Sequence, residues 1–138
     1  MTSFARSIRV ATRRRALVLV TREVEAVVRE SGLTVGICNV FILHTSASLL
    51  ITENADPDVH SDLEGFMSTL VEDGDRRFRH IAEGPDDMSA HIRSVLTATS
   101  ITLPVRAGRL ALGTWQGLYV WEHRQVPHQR VLEISVVG

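Results

Sequence analysis

Three of the six histidines in this chain stand where a solvent-facing histidine is unusual. His44 follows the apolar run 40–43, His91 falls in the apolar stripe of a predicted helix, and His80 lies between them along the chain. An imidazole at the end of a buried strand is poorly solvated, so we expect it to be neutral and able to bind a metal or a proton. Three such imidazoles suit zinc and its first-row neighbours and leave one coordination position open. The sequence therefore predicts a metal site at His44, His80 and His91, with a hydrogen-bonded core histidine as the alternative for His91.

Hydroxyl and carboxylate residues follow His44 along the chain. Thr45 and Ser46 place two hydroxyls and several amides at a predicted strand bend, which suits a phosphate group. The alternative is that these hydroxyls satisfy the backbone of their own turn. Glu53 is a candidate base or a carboxylate that orients a ligand, with simple solvation as the alternative, and Asn54 is a candidate substrate contact. Asp56, which precedes a proline, is interpreted as a helix cap.

A tryptophan between two glycines forms the most unusual string in the last third of the chain. Glycine inside a strand region indicates a bulge or a close approach of the backbone to a ligand. Trp115 is interpreted as the wall of a pocket, with simple packing as the alternative. Arg130 is a candidate phosphate contact, because guanidinium groups bind phosphate oxygens in pairs. The candidate substrate-binding residues in this part of the chain are Gly113, Thr114, Trp115, Gln116 and Arg130.

The composition argues against nucleic-acid and membrane partners. The net charge is −1 and aromatic residues make up 5% of the chain, which gives neither a basic platform nor a stacking surface. No apolar stretch approaches the length of about 20 residues that spans a bilayer. The one cysteine, Cys38, excludes an internal disulfide, is interpreted as a core residue, and fits a reducing, cytoplasmic setting. The basic N-terminus resembles a transit peptide in composition, but the alternation of Ile8 and Val10 with polar residues predicts a native first strand.

The periodicity predicts one α+β domain over residues 1–138, with a mixed, largely antiparallel β-sheet or sandwich and helices packed on it. Helices are expected from an N-cap at Thr21 to Gly32, from the cap at Asp56 to Gly74, and from a start at Asp86 and Asp87 onward. The last two carry apolar stripes that should be buried, Val59, Leu63, Phe66, Met67 and Leu70 in one and Met88, Ile92, Val95 and Leu96 in the other. Strands are expected at 4–12, 16–20, 34–43, 47–52, 100–105, 110–113, 118–122 and 130–137. A sheet of this size covered on one face leaves apolar surface for an oligomer to bury.

Several strings together resemble a known family. They are His44-Thr45-Ser46-Ala47-Ser48-Leu49, Glu53-Asn54 with Asp56, His80, residues 87–93, and Leu112-Gly113-Thr114-Trp115-Gln116-Gly117. In this order and spacing they are similar to the YjbQ-like family, called secondary thiamine-phosphate synthases, nearly from end to end. The resemblance implies a small α+β domain that assembles as a homotrimer, with His44, His80 and His91 as shared histidines in a pocket that holds a metal.

The resemblance also implies a weak thiamine-phosphate synthase activity. In that reaction an aminopyrimidine methyl diphosphate loses diphosphate, and the nitrogen of a thiazole phosphate takes its carbon. The chain departs from the family pattern twice. Near the C-terminus Glu122, Pro127 and Arg130 align, but His128 replaces an arginine, so an anion contact there is in doubt. Arg93 stands where lysine is common, which keeps the charge and changes the donor geometry.

The chemistry of the residues and the implied reaction favour different metals. Departure of diphosphate usually requires magnesium, whereas imidazoles suit zinc or another first-row transition metal. We therefore expect a divalent-metal enzyme acting on a small phosphorylated metabolite, with thiamine-phosphate synthesis as its named activity. The catalytic candidates are His44, Glu53 and Glu122, and those for holding phosphate oxygens are Thr45, Ser46, Thr114 and Arg130. The alternatives are a metal-dependent hydrolase of a phosphorylated metabolite and a non-catalytic trimeric module that binds a small anion.

Overall fold

A computed structural model describes all residues from Met1 to Gly138 and shows an α+β fold of eight strands and three helices. The fold class expected from the sequence is confirmed. The strands are β1 (Ser3–Ala11), β2 (Leu17–Leu19), β3 (Val35–Ile42), β4 (Ala47–Glu53), β5 (Ser100–Arg106), β6 (Arg109–Leu110), β7 (Gln116–Glu122) and β8 (Gln129–Val137). The helices are α1 (Thr21–Ser31), α2 (Pro57–Leu70) and α3 (Asp87–Leu96).

The strands form two sheets in which every pairing is antiparallel. The larger sheet has the order β1-β8-β3-β5-β6 and the smaller has the order β2-β7-β4. In β8 the side chains of Leu132, Ile134 and Val136 are buried and alternate with partly exposed neighbours, which is the period of a strand with one face on the core. These side chains belong to a core cluster of 18 apolar residues drawn from both sheets and α1.

Helix α1 packs its valines into this core and begins one residue differently from expectation. Val24, Val27 and Val28 are buried at helical spacing, and Gly32 ends the helix in the left-handed conformation at φ 70°, where a side chain would be strained. Thr21 was expected to cap the N-terminus, but it is the first helical residue. Its hydroxyl instead accepts a hydrogen bond from the Leu118 amide at 2.9 Å, which ties the start of α1 to β7.

Helix α2 does not bury the apolar stripe that the sequence predicts. Its cap is as expected, because Asp56 accepts a hydrogen bond from the Asp58 amide at 2.9 Å, but no residue of the helix is buried. Phe66 is 72% exposed and Leu70 is 60% exposed. The face turned toward the smaller sheet is polar or small, and its residues are His60, Ser61, Glu64, Gly65 and Ser68. The expectation of a buried stripe is therefore wrong, because Val59, Leu63 and Met67 are only half-buried and Phe66 and Leu70 are exposed.

Helix α3 also fails to bury its apolar stripe, since Met88 and Ile92 are half-buried and Val95 and Leu96 are exposed. Its buried residues are Asp87, Ser89, Ala90, Arg93 and Ser94. Val95, from the apolar stripe, is 83% exposed. His91 was expected inside a buried stripe and instead lies at the edge of an exposed one. Two helices with outward apolar faces leave a surface of the kind that protein interfaces cover.

Among the other local expectations, those for the N-terminal strand and for Cys38 are confirmed, and the bounds of two elements are wrong. The N-terminal segment is strand β1, paired with β8 along its whole length, and Cys38 is fully buried, with burial raising the pKa of its thiol to about 11. Helix α2 ends at Leu70 rather than near Gly74, and β6 covers two residues rather than 110–113. None of the three helices is both long and apolar enough to span a bilayer.

Candidate functional site

Two imidazoles and a carboxylate converge where α3 begins. His80 comes from the loop before the helix, and Asp87 and His91 come from its first two turns at i and i+4 spacing. One ligand atom from each lies within 4.8 Å of the others. Nε2 of His80 is 2.5 Å and Nε2 of His91 is 3.1 Å from Oδ2 of Asp87. We call these three residues the His80–Asp87–His91 cluster, and both of its rings reach solvent.

The orientation of His91 is set by the backbone of the β3–β4 bend. Its Nδ1 lies 3.0 Å from the carbonyl oxygen of Thr45. A carbonyl oxygen can only accept, so Nδ1 carries the proton and donates it. In the neutral ring the lone pair is then on Nε2, which faces a carboxylate oxygen. Two acceptors face each other favourably only with a proton or a cation between them, and histidines that bind metals commonly donate their other N–H to a carbonyl in this way.

Asp87 is held in place from its other side by Arg124. The guanidinium donates to Oδ1 of Asp87 at 2.8 Å and to Oδ2 of Asp86 at 3.0 Å. Burial alone would raise the pKa of Asp87, but hydrogen bonding to His80 and the charge of Arg124 outweigh it and lower the pKa. The carboxylate is therefore ionised near neutral pH and presents Oδ2 to both imidazoles.

His44 does not join this cluster. Its Nε2 accepts a hydrogen bond from the Val131 amide at 2.8 Å, which occupies the lone pair of that nitrogen. Burial, and then the charge of Arg130, lower the pKa of His44, so the ring is neutral. Of the three histidines expected to share an ion, the structure brings His80 and His91 together, and Asp87 stands where His44 was expected. His44 and His91 do line the same groove of about 270 Å³, together with Thr45, Ser94, Val95 and Thr99.

Glu122 and Arg130, expected to contact substrate or move a proton, form a buried ion pair. Arg130 is 3% exposed and Glu122 is fully buried. The guanidinium donates to both carboxylate oxygens and to Oγ of Ser46 at 3.0 Å, and the Thr12 hydroxyl donates to Glu122 at 2.6 Å. Although burial would raise the pKa of Glu122, the bonds from Arg130 and Thr12 lower it. Ser46 and this pair are thus inside the fold rather than on a binding surface.

His123 is fully buried beside the same pair. Its Nε2 lies 2.8 Å from the Ser48 hydroxyl, while Nδ1 is buried without a hydrogen-bond partner. Burial, and then the positive charges of Arg93, Arg15 and Arg130, lower the pKa of His123 to about 3. The ring is a neutral core residue.

The remaining candidates lie at the opposite end of the smaller sheet. The register pairs Ala47 with Glu122 at one end of β4 and Glu53 with Gln116 at the other. Six residues of strand separate these ends by about 20 Å. Oε2 of Glu53 accepts from the amide of Asp56, so its carboxylate supports the start of α2. The residues of the predicted site therefore lie in two groups, at opposite ends of the smaller sheet.

The glycine-rich string forms a turn fastened to β4. Oε1 of Gln116 accepts from the Gly113 amide at 2.8 Å, and the Asn54 side chain donates to the carbonyls of Thr114 and Gln116. Trp115 is 64% exposed and lines none of the cavities.

Gly117 shows the close approach expected of this string, but toward protein. A Cβ there would lie 2.9 Å from Cε2 of Tyr119 and 3.0 Å from Cδ1 of Leu19. The missing side chain therefore makes room for packing.

The largest cavity lies between α2 and the smaller sheet and measures about 570 Å³. Its charged side chains already have protein partners. Glu64 accepts from Nε1 of Trp121 at 3.1 Å and from Arg93 at 2.8 Å, and Arg15 donates to Asp73 through both terminal nitrogens. His60 is half-buried here, with Nε2 2.8 Å from the Glu53 carbonyl. No charged group in this cavity is left free for a ligand.

The sequence reasoning missed Asp87 and Arg124 as site residues. Asp87 was interpreted as the start of a helix and as part of the family string 87–93, but not as a ligand. Its spacing of four from His91 was the available signal, because i and i+4 side chains share a helix face. Arg124 has no such signal, since its contact with Asp87 joins segments 37 residues apart.

Comparisons with other proteins agree with this fold. A sequence profile described as "UPF0047 protein YjbQ-like" matches residues 6–138. The UPF0047 protein sll1880 of Synechocystis is 54% identical over 94% of this chain and 88% of that protein, and YugU of Bacillus subtilis is 38% identical over 92% and 93%.

Solved structures give the same result. A YjbQ-like protein of unknown function from Sulfolobus solfataricus superposes with a TM-score of 0.89 at 27% identity, covering 99% of this chain and 98% of that one. An uncharacterised protein of the YjbQ/UPF0047 family from Clostridium acetobutylicum gives 0.84 at 32% identity, covering 94% and 99%. The chain therefore belongs to the YjbQ-like UPF0047 family.

Proposed function

We propose that the chain is a divalent-metal enzyme acting on a small phosphorylated metabolite, with its metal at the His80–Asp87–His91 cluster. One observation carries the proposal. The Thr45 carbonyl accepts the Nδ1 proton of His91, so in the neutral ring the lone pair of Nε2 is directed at the ionised Asp87. A cation bound between Nε2 of His91 and Oδ2 of Asp87 would remove the repulsion between these two acceptors.

The donor set favours zinc or another first-row transition metal over magnesium. Two imidazole nitrogens and one carboxylate oxygen are a common catalytic zinc set, whereas magnesium prefers oxygen ligands. The open spacing of the cluster and the solvent exposure of both rings leave room for a substrate oxygen. When bound, such an ion supplies positive charge that stabilises developing charge on phosphate oxygens.

The substrate would lie in the groove of about 270 Å³ beside His91. Thr45 offers an exposed hydroxyl there, so it keeps the phosphate-binding role expected from the sequence. His44, neutral and on the same groove, carries its proton on Nδ1 because Nε2 accepts from the Val131 amide, so it would act there as a donor.

The specific reaction we propose is thiamine-phosphate synthesis. The carbon–oxygen bond of the aminopyrimidine methyl diphosphate breaks, diphosphate leaves with the electron pair, and the thiazole nitrogen forms the new carbon–nitrogen bond. Hydrolysis of a phosphate ester is the second candidate. The imidazole ligands favour it, since zinc sites of this type commonly activate water.

The outward stripes of α2 and α3 support the proposal of a homotrimer. His91 borders the exposed stripe of α3, which also includes Met88, Ile92 and Val95. A second copy of the chain that covers this stripe would enclose one side of the groove and exclude water from it. A native mass of three chains would support this assembly, and a monomer at micromolar concentration would contradict it.

The test compares His91→Ala with His128→Ala. Both rings have 31% of their surface exposed, but His128 lies outside the cluster and donates to the Val126 carbonyl. We expect the parent and His128→Ala to bind one zinc per chain and His91→Ala to bind none, by elemental analysis and zinc titration. Zinc retained by His91→Ala would refute the site.

Turnover is measured on the same proteins. Zinc-loaded parent is supplied with the aminopyrimidine diphosphate and the thiazole phosphate, and products are separated by mass. Thiamine phosphate with diphosphate supports the synthase, and orthophosphate alone supports the hydrolase. Zinc binding without either product would leave the anion-binding module as the function and overturn the enzyme proposal.

A further inference from the structure

Three arginines without partners converge on a second pocket, far along the chain from the metal candidates. Arg22 and Arg29 lie on one face of α1, and Arg109 lies at the β5–β6 hairpin. Together with Thr21 and Glu25 they line a pocket of about 350 Å³. This pocket shares no residue with the groove beside His91.

None of the three guanidiniums forms an ion pair with a carboxylate of the protein. The ion pairs of arginine involve Arg6, Arg15, Arg77, Arg93, Arg124 and Arg130. Arg22, Arg29 and Arg109 make no side-chain hydrogen bond either. All three side chains are exposed, and like charges around one concavity repel one another where they lie within the Debye length of about 8 Å at physiological salt. An anion seated between them removes that repulsion.

Glu25 lines the same pocket without pairing with the arginines beside it. Its spacing of three from Arg22 and four from Arg29 ordinarily permits helical ion pairs, yet none forms. Neither of its carboxylate oxygens accepts a hydrogen bond, and only Oε2 is shielded from solvent, so Oε1 is the oxygen that a ligand would reach. The pocket therefore presents donors for an anion and one acceptor for a neighbouring N–H or O–H group.

We propose that this pocket binds a small molecule that carries a phosphate group and, a few bonds away, an amino or hydroxyl group. Guanidinium groups present paired N–H donors that match phosphate oxygens, and Arg22, Arg29 and Arg109 approach from two different elements. The hydroxyl of Thr21 accepts from the Leu118 amide, which leaves its proton free for a phosphate oxygen. Glu25 receives the amino or hydroxyl group.

The first experiment titrates inorganic phosphate into the zinc-free protein by calorimetry. Arg29→Gln with Arg109→Gln should weaken binding by about tenfold or more, because two bidentate contacts are lost. Arg9→Gln with Arg14→Gln is the matched control, since both side chains are exposed, unpaired and outside the pocket. Equal affinity in the two double variants would overturn the proposal and make the arginines a solvated surface.

Two further measurements keep the result interpretable. Arg109→Lys keeps the positive charge but removes the paired N–H donors of the guanidinium, so it should weaken phosphate binding. This single variant serves as the test if the double variant fails to fold. Unchanged phosphate affinity of Arg109→Lys would count against the proposal. Phosphoethanolamine should bind more tightly than inorganic phosphate, and Glu25→Gln should remove that difference. Equal affinity of the parent for both probes would overturn the role of Glu25.

Discussion

The His80–Asp87–His91 cluster and the buried group around Glu122 and Arg130 contain similar residue types and behave in opposite ways. In the first, both imidazoles are open to solvent and Nε2 of each faces the same carboxylate oxygen. In the second, every donor and acceptor of the ion pair is directed at protein. Charged and imidazole side chains mark a functional site only where their hydrogen-bonding capacity is left partly unused. The same chemistry with all bonds made holds strands together.

The largest expected effect is the loss of one partner from the buried pair. Arg130→Met leaves Glu122 as an uncompensated buried charge and should lower the free energy of unfolding by about 3–5 kcal/mol, measured by urea denaturation at pH 7. Arg6→Met is the matched control, because the Arg6–Glu30 pair is about half exposed and should contribute less than about 1 kcal/mol. Similar losses of unfolding free energy in Arg130→Met and Arg6→Met would show that the buried pair is no more important for stability than an exposed one.

A smaller effect is expected from the buried histidine beside that pair. The pKa of His123 is about 3 in the folded state and returns to the ordinary value on unfolding, so below that value the unfolded chain binds the extra proton. Stability from this group is complete above about pH 6.5 and falls as the pH drops, by about 2 kcal/mol at pH 5. Urea denaturation at pH 7.5 and pH 5 measures it.

The control for this pH dependence is His123→Gln, which cannot take up a proton and can still bond to Ser48. Its stability should fall less than that of the parent between the two pH values. An identical fall in both proteins would assign the acid sensitivity to other groups.

The smallest effect sharpens the cluster itself. Arg124→Gln removes the donor that fixes Oδ1 of Asp87 and should weaken zinc binding by about tenfold, measured by competition with a chelating dye. Arg77→Gln is the control, because that side chain is 88% exposed and pairs only with Asp75. Zinc affinity unchanged by Arg124→Gln would contradict a positioning role for the arginine.

Local patterns predicted much of the fold because they depend on neighbours along the chain. The α1 valines, the Asp56 cap and the alternation in β8 all follow from spacing alone. The stripes of α2 and α3 misled for a physical reason. An apolar stripe indicates that a helix face is favourably removed from water, but it does not identify the surface that covers it. In the single chain, part of each of these two faces remains exposed.

By itself the sequence determined the α+β class and the family, and it predicted His80 and His91 as site residues. Only the tertiary structure decided that Asp87 lies beside them, that His44 accepts a hydrogen bond from a backbone amide, and that Arg130 forms a buried ion pair with Glu122. It also set Glu53 and Gln116 at the far end of the smaller sheet from Glu122. The physical reason is that these relations depend on strand register and on hydrogen bonds between distant segments, which no local periodicity records.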